Sequence, residues 1–299
     1  MKERLTYYAL LALIYPLALL PLRALYVLAD ILFVLIYHVV RYRRKLVDRN
    51  LTASFPDMTG ADRRATARRF YRNFADYVVE TIKLLYISDR EVERRFVFEG
   101  VDVIERHIAA GRSVVVYFSH CFNWEWAPSV TLHVANGADC SFGQIYRPLR
   151  NRAFDRLMLR VRGRFGSVSI PKATALRELI MKRRQGVCTV TGFMSDQKPS
   201  HGDPTVPLMF LNRPTAFISG TETLARKLGM AVVYWDLAHT ARGHYRIVVR
   251  PIADNAADLP EHEVTRTYAR MLQTTITRDP ADWLWTHNRW KNPVTLPLE

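Results

Sequence analysis

Ser113-Val114-Val115-Val116-Tyr117-Phe118-Ser119-His120-Cys121-Phe122-Asn123-Trp124-Glu125 is the stretch that decides the fold. Its β-branched and aromatic first half is short and unbroken, which reads as a strand over residues 112–118 buried on both faces. The second half carries a histidine and a carboxylate five positions apart. On a continuous helix, five steps of about 100° would leave them roughly 140° apart and unable to meet. They converge only if His120 sits on the strand-to-helix turn and Glu125 in the first helical turn, where open α/β folds carry their chemistry. A neutral imidazole held by a carboxylate can take a proton from a hydroxyl. Cys121, next to His120, could be read as a thiol nucleophile, but adjacent residues at a strand exit point different ways and the carboxylate is the better orienter.

Outward from this strand, helical and strand patterns alternate. Apolar residues at spacings of three and four (Phe70, Phe74, Tyr77, Val78, Ile82, Leu85) predict a helix over 62–87. Strands are predicted over 141–146, 186–191, 230–237 and 245–251, and helices over 151–164, 177–184, 215–228 (ended by Gly229) and 261–277. Residues 194–207 read as a loop. The alternation predicts an α/β fold with a mostly parallel central sheet flanked by helices. With no repeat, low-complexity stretch or Gly/Ser linker, residues 46–299 read as one catalytic domain.

The first 45 residues differ. Residues 7–20 carry no charge, the apolar run 31–37 comes after Arg23 and Asp30, and the stretch ends at Arg41-Tyr42-Arg43-Arg44-Lys45. Pro16, Pro21 and Arg23 interrupt any clean span of about 20 residues, and no small-residue cleavage site marks a signal peptide. Two short membrane-associating helices with a basic cluster at the cytoplasmic leaflet fit better than a hairpin buried against the domain. Residues 1–45 are therefore expected to be a membrane anchor.

The net charge is +15, from 43 Lys+Arg against 28 Asp+Glu, so an anionic partner is expected. Nucleic acid is the weaker choice, because no zinc-finger, RNP-like or helix-turn-helix pattern is present. Three cysteines without CxxC spacing suggest a reducing compartment and no disulfide framework. The histidines are scattered, with no HExxH-type spacing, and no glycine-rich phosphate loop occurs. Neither a metal nor a nucleotide cofactor is expected.

Three further segments are loaded with polar residues: 143–151 continuing to Arg160, Arg162 and Arg164; Gly192-Phe193-Met194-Ser195-Asp196-Gln197-Lys198; and Trp283-Leu284-Trp285-Thr286-His287-Asn288-Arg289-Trp290-Lys291. The arginines suit phosphate recognition through bidentate bonds. The last segment could equally be an aromatic belt at a membrane interface. The HxxxxE box His120 to Glu125, Tyr146-Arg147-Pro148-Leu149, Ser195-Asp196-Gln197, the closing Trp283–Lys291 segment, and Arg49-Asn50-Leu51 with Phe55-Pro56 together resemble the late acyltransferases of lipid A biosynthesis, within the glycerolipid acyltransferase superfamily. The resemblance runs almost the whole chain in the family's order. One departure is His287-Asn288, where family members often carry His-Arg.

The resemblance implies transfer of a fatty acyl chain from acyl-carrier-protein thioester to a hydroxyl on a lipid A precursor, at the cytoplasmic face of the bacterial inner membrane. His120 would be the general base and Glu125 its orienter. Arg147 and Arg164 would hold the phosphorylated disaccharide or the developing negative charge. Asn123 would order the turn beside the substrate, and Tyr146, Asp196 and Gln197 would line the acceptor pocket. Other readings stay open: the same chemistry on a phospholipid, aminolipid or other glycolipid acceptor, a coenzyme A donor, thioester hydrolysis, or a non-catalytic lipid-binding membrane protein. An intact His120/Glu125 pair argues against the last.

Overall fold

The computed structural model of the chain describes residues 2–135 and 140–296. Two apolar helices come first, α1 (Lys2–Leu19) and α2 (Leu22–Val34), parted where Pro21 removes a backbone donor. A π-helical turn, Leu35–Val39, extends α2. Next come α3 (Arg44–Ser54) and the long α4 (Gly60–Lys83), whose N-cap Thr59 accepts the Asp62 backbone N–H.

The predicted amphipathic stripe of α4 is real, and α2 packs along it, burying Leu22, Leu25, Ala29 and Phe33. Each large side chain so buried contributes roughly 1.5–3 kcal/mol. Polar ties fix the same packing. Tyr26 donates to Glu80 at 3.0 Å, and Lys83 donates to the Ala18 and Leu20 carbonyls at 2.9 and 2.8 Å. Arg242 bridges Asp30 at 2.8 Å and Asp76 at 2.6 Å. The other side of α1–α2 stays apolar and exposed, at Leu5, Leu13, Val27, Ile31 and Val39 among others.

After α5 (Asp89–Arg95), β1 (Phe96–Glu99) and α6 (Asp102–Ala109), the expected strand appears as β2 (Val114–Phe118), with every residue buried. A 3₁₀ helix, Trp124–Leu132, succeeds the His120 turn. Then come β3 (Cys140–Tyr146), α7 (Arg152–Arg162), β4 (Val168–Pro171), α8 (Ala175–Arg184) and β5 (Cys188–Met194). The chain continues through β6 (Thr205–Phe210), β7 (Arg213–Ile218), α9 (Gly220–Leu228), β8 (Ala231–Ala241), β9 (His244–Ala253) and α10 (Glu263–Arg278).

The main sheet has seven strands in the order β1-β9-β8-β2-β5-β3-β4, and among the described residues only its β8–β9 hairpin is antiparallel. The α/β, mostly parallel reading therefore holds. β2 lies inside the sheet between β8 and β5, which is why its sequence is apolar without alternation. Because β2, β5 and β3 run parallel, their carboxyl ends open on the same edge.

One expected element is corrected. The helix read from Thr215 starts only at Gly220, because residues 205–218 form a separate antiparallel hairpin, β6–β7. Its turn, Leu211-Asn212, has φ of +49° and +59°. A leucine with positive φ carries none of the usual Asn-Gly signal for such a turn. The structure also holds elements beyond those the sequence predicts: the short strands β1 and β4 and the helices α3, α5 and α6.

Candidate active site

A cavity of about 870 Å³ opens at the carboxyl edge of β2, β3 and β5. Its volume is in the range of small-molecule sites. Its inner wall is apolar, built from Val116, Phe118, Val130, Phe142, Val190, Phe193 and Leu224. His120, Glu125, Tyr146, Arg147, Arg162 and Gln197 are among the polar residues of the lining. Gly192 keeps this space open: a Cβ there would lie 2.9 Å from the Phe118 ring.

His120 sits on the turn after β2, as expected, with 15% of its side chain exposed. Its Nδ1 lies 2.8 Å from Asp196 Oδ1, and its backbone N–H donates to Asp196 Oδ2 at 2.9 Å. The Trp283 indole N–H donates to that same Oδ2 at 2.8 Å. Asp196 is itself buried and, against the expectation that it would line the acceptor pocket, is not part of the cavity lining. Burial raises its carboxyl, but the His120 ring, the two His120 hydrogen bonds and the Trp283 indole outweigh this and hold it at about 2. Asp196 is therefore ionised and fixes the ring with Nδ1 as donor. That leaves Nε2 as the basic nitrogen, with no protein hydrogen-bond partner among the described residues.

This arrangement corrects the role read for Glu125. The carboxylate that holds His120 belongs to Asp196, while Glu125 makes a bidentate pair with Arg162 at 2.7 and 2.6 Å. Glu125 also accepts from the Trp124 indole at 3.1 Å, and the Trp124 ring packs edge-on against His120, 5.0 Å between centroids. Glu125 thus reaches His120 only through the Trp124 side chain. Burial disfavours the Arg162 charge, but the Glu125 hydrogen bonds and charge reverse that and push the guanidinium upward.

Two further expectations change. Arg164 does not line the cavity: it pairs with Asp89 at 3.1 Å and lies over Phe165. Arg162 is the arginine of that run that does. A signal for it was present, since Arg162 lies four residues beyond Met158 and so continues the buried face of α7. Asn123 is also not in the lining. Its Oδ1 caps the 3₁₀ helix by accepting the Glu125 N–H at 3.2 Å, and its Nδ2 donates to Glu80 at 3.0 Å. Tyr245 donates to Glu80 as well, at 2.7 Å, so the turn after His120 and α2 meet at one buried carboxylate.

Tyr146, Arg147 and Gln197 face the cavity as read, with Arg147 donating to Ser200 Oγ at 2.8 Å. Cys121 is buried, and burial pushes its thiol upward, which suits a packing residue. The closing aromatic segment is no membrane belt: Trp283 and Trp285 are buried. Asn50, also buried, donates to the Trp285 and His287 carbonyls at 3.1 and 3.4 Å, so α3 straps this segment down. Burial lowers His287 to about 4, with nearby positive charge from His120, Arg289 and Lys198 adding to it and Asp196 opposing it. Its neutral Nε2 accepts the Lys198 backbone N–H at 3.0 Å.

The fold and site define an α/β enzyme with a carboxylate-held histidine at the mouth of an apolar cavity rimmed by arginines. The chain belongs to the bacterial lipid A biosynthesis acyltransferases, whose family profile matches residues 1–292, and it is an acyltransferase. It is similar to the lipid A biosynthesis palmitoleoyltransferase of Escherichia coli K12, 23% identical over 253 residues, covering 84% of this chain and 80% of that protein. The lipid A biosynthesis acyltransferase of Haemophilus influenzae is 23% identical over 271 residues, 90% and 82% of the two chains. The lipid A biosynthesis lauroyltransferase of E. coli K12 is 23% identical over 261 residues, 86% and 82%.

Proposed function

We propose that this acyltransferase moves a fatty acyl chain from an acyl-carrier-protein thioester to a hydroxyl of a lipid A precursor, on the cytoplasmic face of a bacterial inner membrane. The observation that carries the reading is His120: its Nδ1 is held by buried Asp196 and its Nε2 is free at a cavity that joins an apolar wall to an arginine rim.

His120 Nε2 takes the acceptor's hydroxyl proton as that oxygen attacks the thioester carbonyl. A C–O bond forms, the tetrahedral intermediate collapses, the C–S bond breaks, and the imidazolium returns the proton to the departing thiolate. No acyl-enzyme is formed, and the thioester is the only co-substrate required. Asp196 stabilises the transient imidazolium. Arg162, fixed by Glu125, supplies positive charge to the developing oxyanion, and Arg147 holds an acceptor phosphate. The apolar wall takes the acyl chain.

Residues 1–45 seat the enzyme on the membrane, with 46–299 as the catalytic domain. The stretch Leu22–Val39, 18 residues of mean hydropathy 1.8 and 28% buried, is long and apolar enough to cross a bilayer, and the basic run 41–45 comes directly after it. The surplus of 15 positive charges suits both an acidic carrier protein and an anionic lipid.

The test is mass spectrometry of reactions holding membranes with the protein, acyl-carrier protein thioester and a tetra-acylated lipid A precursor, beside His120→Ala. A product heavier by one acyl chain, absent in the variant, is expected. Free fatty acid alone would move the acceptor elsewhere, and turnover only with coenzyme A thioester would replace the donor.

A further inference from the structure

A second cavity, of about 560 Å³, lies between the β6–β7 hairpin and the closing residues 289–295. It adjoins the first, because Lys198, Ser200 and Asp203 line both. Arg289 forms its wall and is only 3% exposed. Its Nη2 donates to the Ala216 carbonyl, and its guanidinium lies 5.2 Å from the Phe217 ring centroid. Among the described residues its Nε has no partner and no carboxylate pairs with it. Burial pushes the Arg289 guanidinium down to about 10, against the pull of Asp196. A cation removed from water is costly unless an anion answers it.

The other charged groups of the lining point the same way. Among the described residues Lys198 Nζ touches only the Pro199 carbonyl, at 3.3 Å. Asp203 is already engaged, with both oxygens 2.7 Å from Lys172 Nζ and one accepting the Ser200 N–H. His201 completes the titratable lining. Ser200 Oγ accepts from Arg147 and keeps its own proton to donate. Pro207, Pro214, Pro293 and Val294 add apolar surface beside the polar Thr205, Asn292 and Thr295, and the space far exceeds what a lone carboxylate would fill.

We propose that this second cavity binds a phosphate ester, with Arg289 and Lys198 supplying the charge and Ser200 a hydroxyl donor. The assignment rests on the acyl-transfer reading for its ligand, since both substrates carry such a group: the sugar phosphate of the acceptor, or the phosphodiester that joins pantetheine to the carrier protein. A guanidinium fork matches either.

Binding and turnover test it separately, on the full chain in detergent. In the binding arm, thermal unfolding is followed with inorganic phosphate and with glucosamine 1-phosphate, against chloride of equal ionic strength. Wild type should be stabilised by both, R289Q should lose the shift, and K198Q should show less of it. R289K keeps the charge and should retain part of the shift, which separates a lost site from a misfolded variant. In the turnover arm, each substrate is compared with its phosphate-free counterpart: the dephosphorylated acceptor, and acyl-pantetheine for the carrier thioester. For whichever substrate owns the phosphate, wild type should prefer the phosphorylated form by about ten- to a hundredfold in kcat/KM, and R289Q should collapse that ratio toward one. Shifts in R289Q and K198Q equal to wild type, or both ratios unchanged in R289Q, would overturn the proposal. Absence of turnover with any acceptor would count against the acyl-transfer reading instead, and the binding arm would still decide the site.

Discussion

Replacing Asp196 by Asn asks which carboxylate serves His120. Three donors converge on the two Asp196 oxygens: the His120 ring, the His120 backbone N–H and the Trp283 indole, at 2.8, 2.9 and 2.8 Å. Asn offers one oxygen and one NH₂, so one side must face a donor with a donor. If the NH₂ turns to the ring, His120 must present Nδ1 as acceptor and carry its proton on Nε2, the atom required as base. If it turns the other way, the backbone and indole donors lose their acceptor. In both arrangements the imidazolium formed during transfer loses its counter-charge. With charge centres about 4 Å apart and an effective dielectric of about 20, that pair is worth ~4 kcal/mol. Some of it survives through the amide dipole, so kcat should fall roughly 10²- to 10³-fold. Stability should drop by about 1–3 kcal/mol.

The assay is acyl transfer from the thioester at saturating and sub-saturating substrate, normalised to the folded fraction from urea titration. Both KM values should hold while kcat falls, and the downfield NMR resonance of a histidine Nδ1–H bonded to carboxylate should vanish. Glu125→Gln is run beside it. A D196N loss of less than about tenfold, under 1.4 kcal/mol, with the NMR signal intact and kcat abolished only in E125Q, would refute the assignment of Asp196 as the positioning residue.

The same geometry sets other outcomes. Arg162→Met strands the buried Glu125 carboxylate, so it should cost about 3–5 kcal/mol of stability as well as turnover, whereas Arg164→Ala breaks an exposed pair and should cost under about 1 kcal/mol; denaturant midpoints and kcat of the two variants compare them. Trp283→Phe keeps a ring but removes the indole donor to Asp196, and should lower stability by about 1.5–3 kcal/mol with a fall in kcat. His287 is held at about 4 in the folded chain, against an ordinary value near 6.5. Between those limits the unfolded chain binds the extra proton, so stability should rise with pH across that window, by at most about 3 kcal/mol, and fall as pH drops toward 4. Urea titrations from pH 4 to 7 should show this slope flattened in His287→Gln.

The parts of the fold that were legible are those where burial dictates residue type. β2 and β5 lie between neighbours on both sides, so β2 is an unbroken apolar run and β5 a β-branched one whose two threonines are buried too, and α4 and α10 carry stripes at helical spacing. β1 and β4 are sheet edges of four residues and leave little pattern. The β6–β7 hairpin was hidden by Pro207 and Pro214, which an isolated two-stranded ribbon tolerates, and by its leucine turn. In the site, placing His120 on the turn and Glu125 in the first helical turn was a local inference and held. Which carboxylate meets the imidazole was not local. Asp196 reaches it only because β5 pairs beside β2, 76 residues away along the chain.

The Asp196–Trp283 hydrogen bond also sets a schedule. It joins residues separated by 87 positions, and its second member belongs to the last strapped-down segment. At synthesis rates of about 5–20 residues per second, that interval lasts roughly 4–17 s. The apolar helices α1 and α2 emerge well before it, so on the proposed membrane reading they would meet lipid while His120 still lacks its completed support. On the proposed reading, a nascent or C-terminally truncated chain would reach its surface with Asp196 short of one donor, and full acylating power would come only once the final tryptophan segment docks.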